Sequence, residues 1–260
     1  MKPNKMQQAL AATGTAAGHM ISEFGTRGIA RIVAGTGVDF VMIDMEHTGY
    51  DTERIADLCS WFRAVDVAPM VRIPQGLYHF CARTLDAGAL GIMVANVETA
   101  AQAKEIVDAC KYAPLGKRGV ALGGAHNDFV MPNPAEYFRY ANENTTVVCM
   151  IESPIGIANV DAIAATPGVD VLWVGHFDLT QAMGIPAQFQ HPDFHAAINA
   201  VVAAARKHGK QAGIQPNSLD QAKEWRAVGF NVISWMMDYG VYRNALAQGV
   251  KDIRAILAGA

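Results

Sequence analysis

Apolar runs of strand length alternate with amphipathic runs of helix length along almost the whole of this 260-residue chain. Strands are expected at Gly18–Ser22, Val38–Asp44, Val67–Arg72, Leu90–Ala95, Thr146–Ile151, Val169–Val174, Gln211–Ile214 and Phe230–Ser234, with a possible further one near Gly119–Leu122. Helices are expected between them, at Thr26–Gly35, Thr52–Ala64, Leu77–Ala87, Glu98–Lys111, Pro134–Ala141, Ile155–Ala165, Pro192–His208, Leu219–Val228 and Tyr239–Leu257. Unbroken alternation of this kind implies a parallel sheet, because each helix carries the chain back to start the next strand in the same direction. About eight such units in 260 residues fit a closed (β/α)8 TIM barrel as a single α/β domain spanning residues 1–260. The structural rival is an open, doubly wound sheet. It usually carries a Gly-rich phosphate turn after its first strand, and this chain has none.

The bulk numbers narrow the function classes. Half the chain is hydrophobic (51%) and only 17% is charged, enough apolar material to fill a large core. A net charge of -3 without a long basic run argues against nucleic acid as the main partner. No apolar stretch approaches the ~20 residues of a membrane span, so no membrane partner is expected. Lys2 and Lys5 precede an Ala-rich segment containing Gln7, Gln8, Thr13 and Gly14, which reads as a first amphipathic helix rather than a signal peptide. The four cysteines (Cys59, Cys81, Cys110, Cys149) form no CxxC pair and fall inside expected helices and strands. They read as buried, reduced thiols of a cytoplasmic protein.

In a barrel, chemistry collects at the carboxyl ends of the strands. Here those ends carry Asp44-Met45-Glu46-His47, Arg72, Asn96, Glu152, Asp178 and Gln215, so acid, base, cation and metal-ligand types converge on one rim. Glu152 and Asp178 lie 26 positions apart at the ends of consecutive strands, which parallel topology sets side by side. Two carboxylates so placed can hold a hard divalent cation and leave positions for water and substrate. Taken singly, each residue has a plainer reading: His47 as an exposed loop histidine, Arg72 as an ion-pair partner, and either acid as a helix N-cap. None of the nine lysines ends a strand, which argues against a Schiff-base aldolase and leaves a metal to stabilise any carbanion. The 123–144 stretch is the longest without periodicity, and reads as an active-site loop or an oligomer contact.

These residues carry a resemblance. Asp39-Phe40-Val41-Met42-Ile43-Asp44-Met45-Glu46-His47 resembles the D-[FW]-x-x-I-D-x-E-H segment of the 4-hydroxy-2-oxoheptanedioate aldolase family, class II pyruvate aldolases of the phosphoenolpyruvate/pyruvate barrel superfamily. The likeness continues through Val71-Arg72, Leu85-Asp86-Ala87-Gly88-Ala89, Tyr112 to Val120, Met150-Ile151-Glu152-Ser153 and Gly175 to Gly184, covering about residues 15–240. It implies a divalent metal (Mg or Mn, with Co possible) on Glu152 and Asp178 and a 2-oxo acid with an aldehyde as substrates. It also implies a homo-hexamer with C-terminal helices packed across subunits. Arg72 would bind the carboxylate and enolate oxygen, His47 would be the acid/base residue, and Asp86 of a neighbouring subunit would orient that histidine. Asp44 and Glu46 would stand behind these groups.

Two departures from the family pattern bear on substrate choice. Met150 replaces a glutamine that hydrogen-bonds the keto acid, and the G-P-x-D turn reads Gly175-His176-Phe177-Asp178. Looser donor selection, with hydroxypyruvate beside pyruvate, is expected from Met150. An apolar rim of Phe177, Trp235, Met236 and Met237 would suit an apolar or aromatic aldehyde. The rivals are another metal-dependent carbon–carbon lyase acting on an oxaloacetate-like acid, and a non-catalytic oligomeric binder.

Overall fold

The computed structural model describes residues 2–259. Eight parallel strands close in sequence order: β1 (Ala16–Ile21), β2 (Phe40–Asp44), β3 (Ala68–Ile73), β4 (Gly91–Val94), β5 (Thr146–Ile151), β6 (Val171–Val174), β7 (Gln211–Ile214) and β8 (Val232–Met237). The last pairs with the first, Ala16 opposite Val232. A (β/α)8 barrel is therefore the fold, as the alternation implied. Around it run α1 (Lys5–Thr13), α2 (Ile29–Ala34), α3 (Thr52–Arg63), α4 (Tyr78–Asp86), α5 (Ala100–Cys110), α6 (Pro134–Asn144), α7 (Pro154–Ala158), α8 (Val160–Ala165), α9 (His176–Ala182), α10 (Pro192–Lys207), α11 (Leu219–Val228) and α12 (Asp238–Leu257).

Side chains alternate across each strand, and this period of two builds both cores. On β2, Val41 and Ile43 pack outward under the helices, while Phe40 and Met42 point into the barrel. On β5, Val147, Cys149 and Ile151 go outward, Val148 and Met150 inward. Neighbouring strands then fit large against small. A Cβ on Gly213 would lie 2.2 Å from the Trp173 ring, so glycine on β7 is what lets that indole fill the barrel axis. All four cysteines are buried and unpaired.

The floor of the barrel is closed by α1. Asn4 caps it and donates to the Leu90 carbonyl at 3.1 Å and to Thr146 Oγ1 at 3.0 Å, while Met6 is buried in the inner core. The N-terminal segment is thus the amphipathic helix its composition suggests.

Three expectations need correcting. Gly119–Leu122 forms no strand, because β4 pairs directly with β5, Gly91 opposite Thr146, and the closed barrel leaves no edge for another. The expected Ile155–Ala165 helix is two short helices broken at Asn159, whose side chain donates to the Glu98 carbonyl at 2.9 Å. The segment after β6 forms α9 rather than a simple turn. The final helix α12 is buried only at Asp238 and Gly240. Beyond that it presents Tyr242, Leu246, Val250, Ile253 and Ile256 to solvent. Among the described residues no helix is long and apolar enough to cross a membrane.

Candidate active site

The inward-facing register that buries Met42, Met70 and Met150 ends, one step further along the same strands, at Asp44, Arg72 and Glu152. The strand period alone therefore delivers an acid, a guanidinium and a second acid to the carboxyl-end mouth of the barrel. Arg72 among them lines a cavity of about 210 Å³, with Asp44 and Glu152 held against residues that line it. Its floor is apolar: Met20, Met42, Met93, Met150, Trp173 and Met237. Its polar groups are His47, Arg72, His176, Asp178, Gln215 and Asn217. Gly175 and Phe177 also line it.

Asp44 organises one side. Its carboxylate takes Arg72 Nε at 2.9 Å and Nη2 at 2.8 Å in a bidentate pair, and also accepts the backbone N–H of Glu46 at 3.0 Å. The same oxygen lies 3.4 Å from the His47 nitrogen, so one buried acid shapes the 44–47 turn and holds the guanidinium. Glu46 Oε2 lies 3.3 Å from Arg72 Nη1 and 3.8 Å from His47 Nε2. Burial opposes the charge on Arg72, but the Asp44 hydrogen bonds and the surrounding carboxylates outweigh it and hold the guanidinium above its ordinary range. His47 itself is largely exposed, at the mouth.

Glu152 forms the other side. It is buried, and Oε1 accepts the Asn96 backbone N–H at 2.6 Å. Asn96 adopts a positive φ of 51°, a left-handed conformation that asparagine tolerates and that turns its N–H toward the acid. Burial pushes the Glu152 carboxyl up to about 7; the Asn96 hydrogen bond opposes this, and the charges of Asp178 and Glu46 add to it. Burial likewise raises Glu46. Asp178 is exposed in the first turn of α9.

The donor set fits a hard cation. Four carboxylates (Asp44, Glu46, Glu152, Asp178) lie near one another here, and the guanidinium of Arg72 is already engaged by Asp44 and Glu46. Glu152 and Asp178 are left with repulsion that a divalent ion would relieve, and both offer oxygen only. Among the described residues, no three His, Cys, Asp or Glu side chains form a complete protein-only metal site. Water and substrate would fill the remaining positions.

His176 is buried and stacked among Phe177, Phe189 and Trp225, with ring centroids 4.6, 5.2 and 5.2 Å away. Burial lowers its pKa to about 4, so the ring is neutral at ordinary pH. Its Nε2 lies 3.1 Å from Asn217 Nδ2.

Most of the residues expected at the site thus converge. Asp86 does not. It ends α4, and in a β/α unit that end returns to the opposite face of the barrel from the mouth. There it accepts from Arg118 Nη2 at 2.6 Å, so within one chain it does not reach His47. Of the expected apolar rim, Phe177 and Met237 line the cavity, whereas Trp235 faces a groove between α2 and α12. The sequence singles out Met150 and Met237 but not Asn217, nor Met20, Met42 and Met93, which complete the methionine floor. The floor residues share the strand register of Asp44, Arg72 and Glu152, and that was the available signal.

The chain is similar to known proteins over nearly its whole length. Residues 25–245 match the HpcH/HpaI aldolase/citrate lyase family. The chain is 34% identical over 243 residues to 5-keto-4-deoxy-D-glucarate aldolase of Shigella dysenteriae serotype 1 (strain Sd197), covering 94% of each chain. Among solved structures it is similar to the HpcH/HpaI aldolase from Desulfitobacterium hafniense DCB-2, with a TM-score of 0.90, 31% identity and 96% of each chain covered. An HpcH/HpaI aldolase/citrate lyase family protein from Burkholderia cenocepacia J2315 superposes with a TM-score of 0.89 at 31% identity, covering 96% of this chain and 99% of that one.

Proposed function

The chain belongs to the HpcH/HpaI aldolase/citrate lyase family as a class II aldolase, a carbon–carbon lyase, and from that premise we propose that it cleaves or forms a 4-hydroxy-2-oxo acid. Pyruvate, or a related 2-oxo acid such as hydroxypyruvate, is the donor and an aldehyde the acceptor. The observation that carries this reading is that buried Glu152 lies close enough to Asp178, which lines the cavity, to feel its charge.

Glu152 and Asp178 would hold the divalent ion, Mg or Mn, with Co a third possibility by ligand type. When bound, such an ion supplies Lewis acidity toward the keto oxygen and carboxylate of the 2-oxo acid. Arg72 keeps N–H groups free of Asp44 on Nη1 and Nη2, and aims fixed positive charge where negative charge develops as the C3–C4 bond breaks. His47 takes the proton from the 4-hydroxyl oxygen, and C4 leaves as the aldehyde carbonyl carbon. The electron pair of the broken bond stays with the three-carbon fragment, which water then protonates at C3. In the synthetic direction His47 returns the proton. Met150 presents a thioether where an amide would read the donor, so the donor face discriminates less and hydroxypyruvate is accepted beside pyruvate.

The site is completed by assembly. The exposed apolar row on α12 and the apolar groove beside α2, lined by Ile29, Ile32, Val33, Trp235 and Tyr242, support a homo-oligomer, with a hexamer expected, in which Asp86 of one copy serves His47 of another. The protein acts on small molecules, and the reading places it in the cytoplasm.

Aldol synthesis by metal-stripped protein tests this reading. Activity with pyruvate and with hydroxypyruvate should vanish on chelation and return with Mg, Mn or Co. Carbon dioxide release from an oxaloacetate-like acid, without aldehyde-dependent product, would instead make it a decarboxylase.

A further inference from the structure

The strand that closes the barrel breaks its own pattern at the mouth. Val232 on β8 faces the inner core, so a regular strand would turn Ser234 and then Met236 the same way. The pairing with β1 slips instead. Trp235 lies opposite His19, but Met20 lies opposite Met237, and Met236 is the extra residue of a bulge. Met236 takes a positive φ of 49°, a left-handed conformation that a long side chain rarely adopts. Its side chain leaves the barrel for α12, where a Cβ on Gly240 would lie 3.2 Å from the Met236 methyl group. Met237 turns inward in its place, packs against the inner core and lines the cavity.

Three groups hold this arrangement. The carboxylate of Asp238, buried at the start of α12, accepts the N–H groups of Ser22, Glu23 and Phe24 at 3.1, 3.0 and 2.8 Å, and that of Tyr239 at 2.8 Å. It thereby ties the first turn of α12 to the loop that leaves β1. The Tyr239 hydroxyl donates to the Met237 sulfur at 2.7 Å. On the outer face, His19 Nδ1 donates to the Trp235 carbonyl at 2.8 Å, beside the slipped residue. A strained backbone persists where its surroundings over-determine it, and such sites re-aim side chains next to a cavity.

In a closed barrel of eight strands in sequence order, β1 faces β5 across the axis. Met20 and Met237, paired across β1 and β8, therefore form the wall opposite Glu152. The part of a substrate that reaches across the cavity from the acids ends at that wall. We propose that Met237 is a specificity-determining residue, set by the β8 bulge to limit how far a bound substrate extends from the Glu152 side, and that Asp238 and Tyr239 are the positioning residues that hold it. This rests on the aldolase reading above and adds to it the wall that limits substrate size.

Acetaldehyde and isobutyraldehyde, each with pyruvate and Mg, read that limit as a ratio of kcat/KM values. Met237→Ala should lower the preference for the smaller aldehyde by at least about fivefold, the order that a methylene supplies in a tight apolar pocket. Asp238→Asn sets an amide N–H group against backbone donors and frees the bulge, so it should lower the ratio in the same direction. Tyr239→Phe, which removes only the hydroxyl on the Met237 sulfur, should do so in part, and it carries the test if Asp238→Asn does not fold. In the Met237→Ala background neither change should move the ratio further, because the side chain they position is gone. Mn affinity should hold throughout, since the acids lie across the barrel. A structural defect lowers both rates and leaves the ratio in place. A ratio unmoved by Met237→Ala, a wild-type ratio in the folded Asp238 and Tyr239 variants, or a shift as large without Met237 as with it overturns the inference and leaves the aldolase reading standing. No product from either aldehyde and no exchange of pyruvate methyl protons removes both.

Discussion

A Cβ on Gly175 would lie 2.2 Å from Glu152 Oε2. The acid that ends β5 can occupy its position only because the residue following β6 has no side chain. The Met150 methyl group, 2.7 Å from the same point, closes off the alternative of moving sideways. Gly175→Ala should therefore displace the Glu152 carboxylate and weaken divalent-ion binding by two orders of magnitude or more, with the barrel still folded. Isothermal titration with Mn alongside circular dichroism checks this. Wild-type affinity in the alanine variant would mean that Glu152 is not a ligand.

Arg72 is bound to Asp44 through two N–H groups in one plane. Lysine keeps the charge but cannot span both carboxylate oxygens or hold a substrate oxygen at a fixed angle. Arg72→Lys should lower kcat by at least about a hundredfold, the range typical of losing one transition-state donor, with a smaller effect on stability. Steady-state kinetics and a thermal melt separate these effects, and near wild-type turnover would remove Arg72 from the chemistry.

Asp86 gives a prediction about assembly. Arg118, itself buried, holds one of its oxygens at 2.6 Å, and the acid is remote from the mouth of its own barrel. If its function lies in a neighbouring copy, Asp86→Asn should depress turnover while the oligomer persists, because the histidine it orients loses an ionised partner. Light scattering with kinetics tests this. An active monomer, or Asp86→Asn at full rate, contradicts it.

The Glu152 carboxyl, raised by burial from 4.5 to about 7, makes the metal-free protein pH-sensitive. The fold prefers the protonated acid. That stabilisation is complete below pH 4.5 and is lost as pH rises through 7. In EDTA, the melting temperature of wild type relative to Glu152→Gln should fall between those limits. Added Mg should recover it at pH 8, since the ion replaces the proton. A difference that stays flat with pH would show that Glu152 carries no such penalty.

The barrel and much of its mouth were legible in the sequence, because both rest on short periods. Alternation of strand and helix gave the fold, and the period of two along each strand set Asp44, Arg72 and Glu152 on the inner face. What escaped depends on contacts between distant segments. The Gly119–Leu122 run has strand-like residues, but pairing of β4 with β5 decides that it stays a loop. Asn217 is unremarkable in its own loop and gains meaning only from His176, 41 positions away. The remoteness of Asp86 from the mouth, by contrast, follows from its place at the end of α4, which the expected Leu77–Ala87 helix already implies.

The central claim is that Glu152 and Asp178 together hold a divalent ion that lets this barrel activate a 2-oxo acid. Exchange of pyruvate methyl protons with deuterated water, followed by NMR, tests it without any aldehyde. Exchange should be fast with Mg or Mn, absent after EDTA, restored on adding the metal back, and absent in Glu152→Gln and Asp178→Asn at metal concentrations that saturate the wild type. Exchange that continues in the stripped protein, or in either carboxylate variant at the wild-type rate, would contradict it.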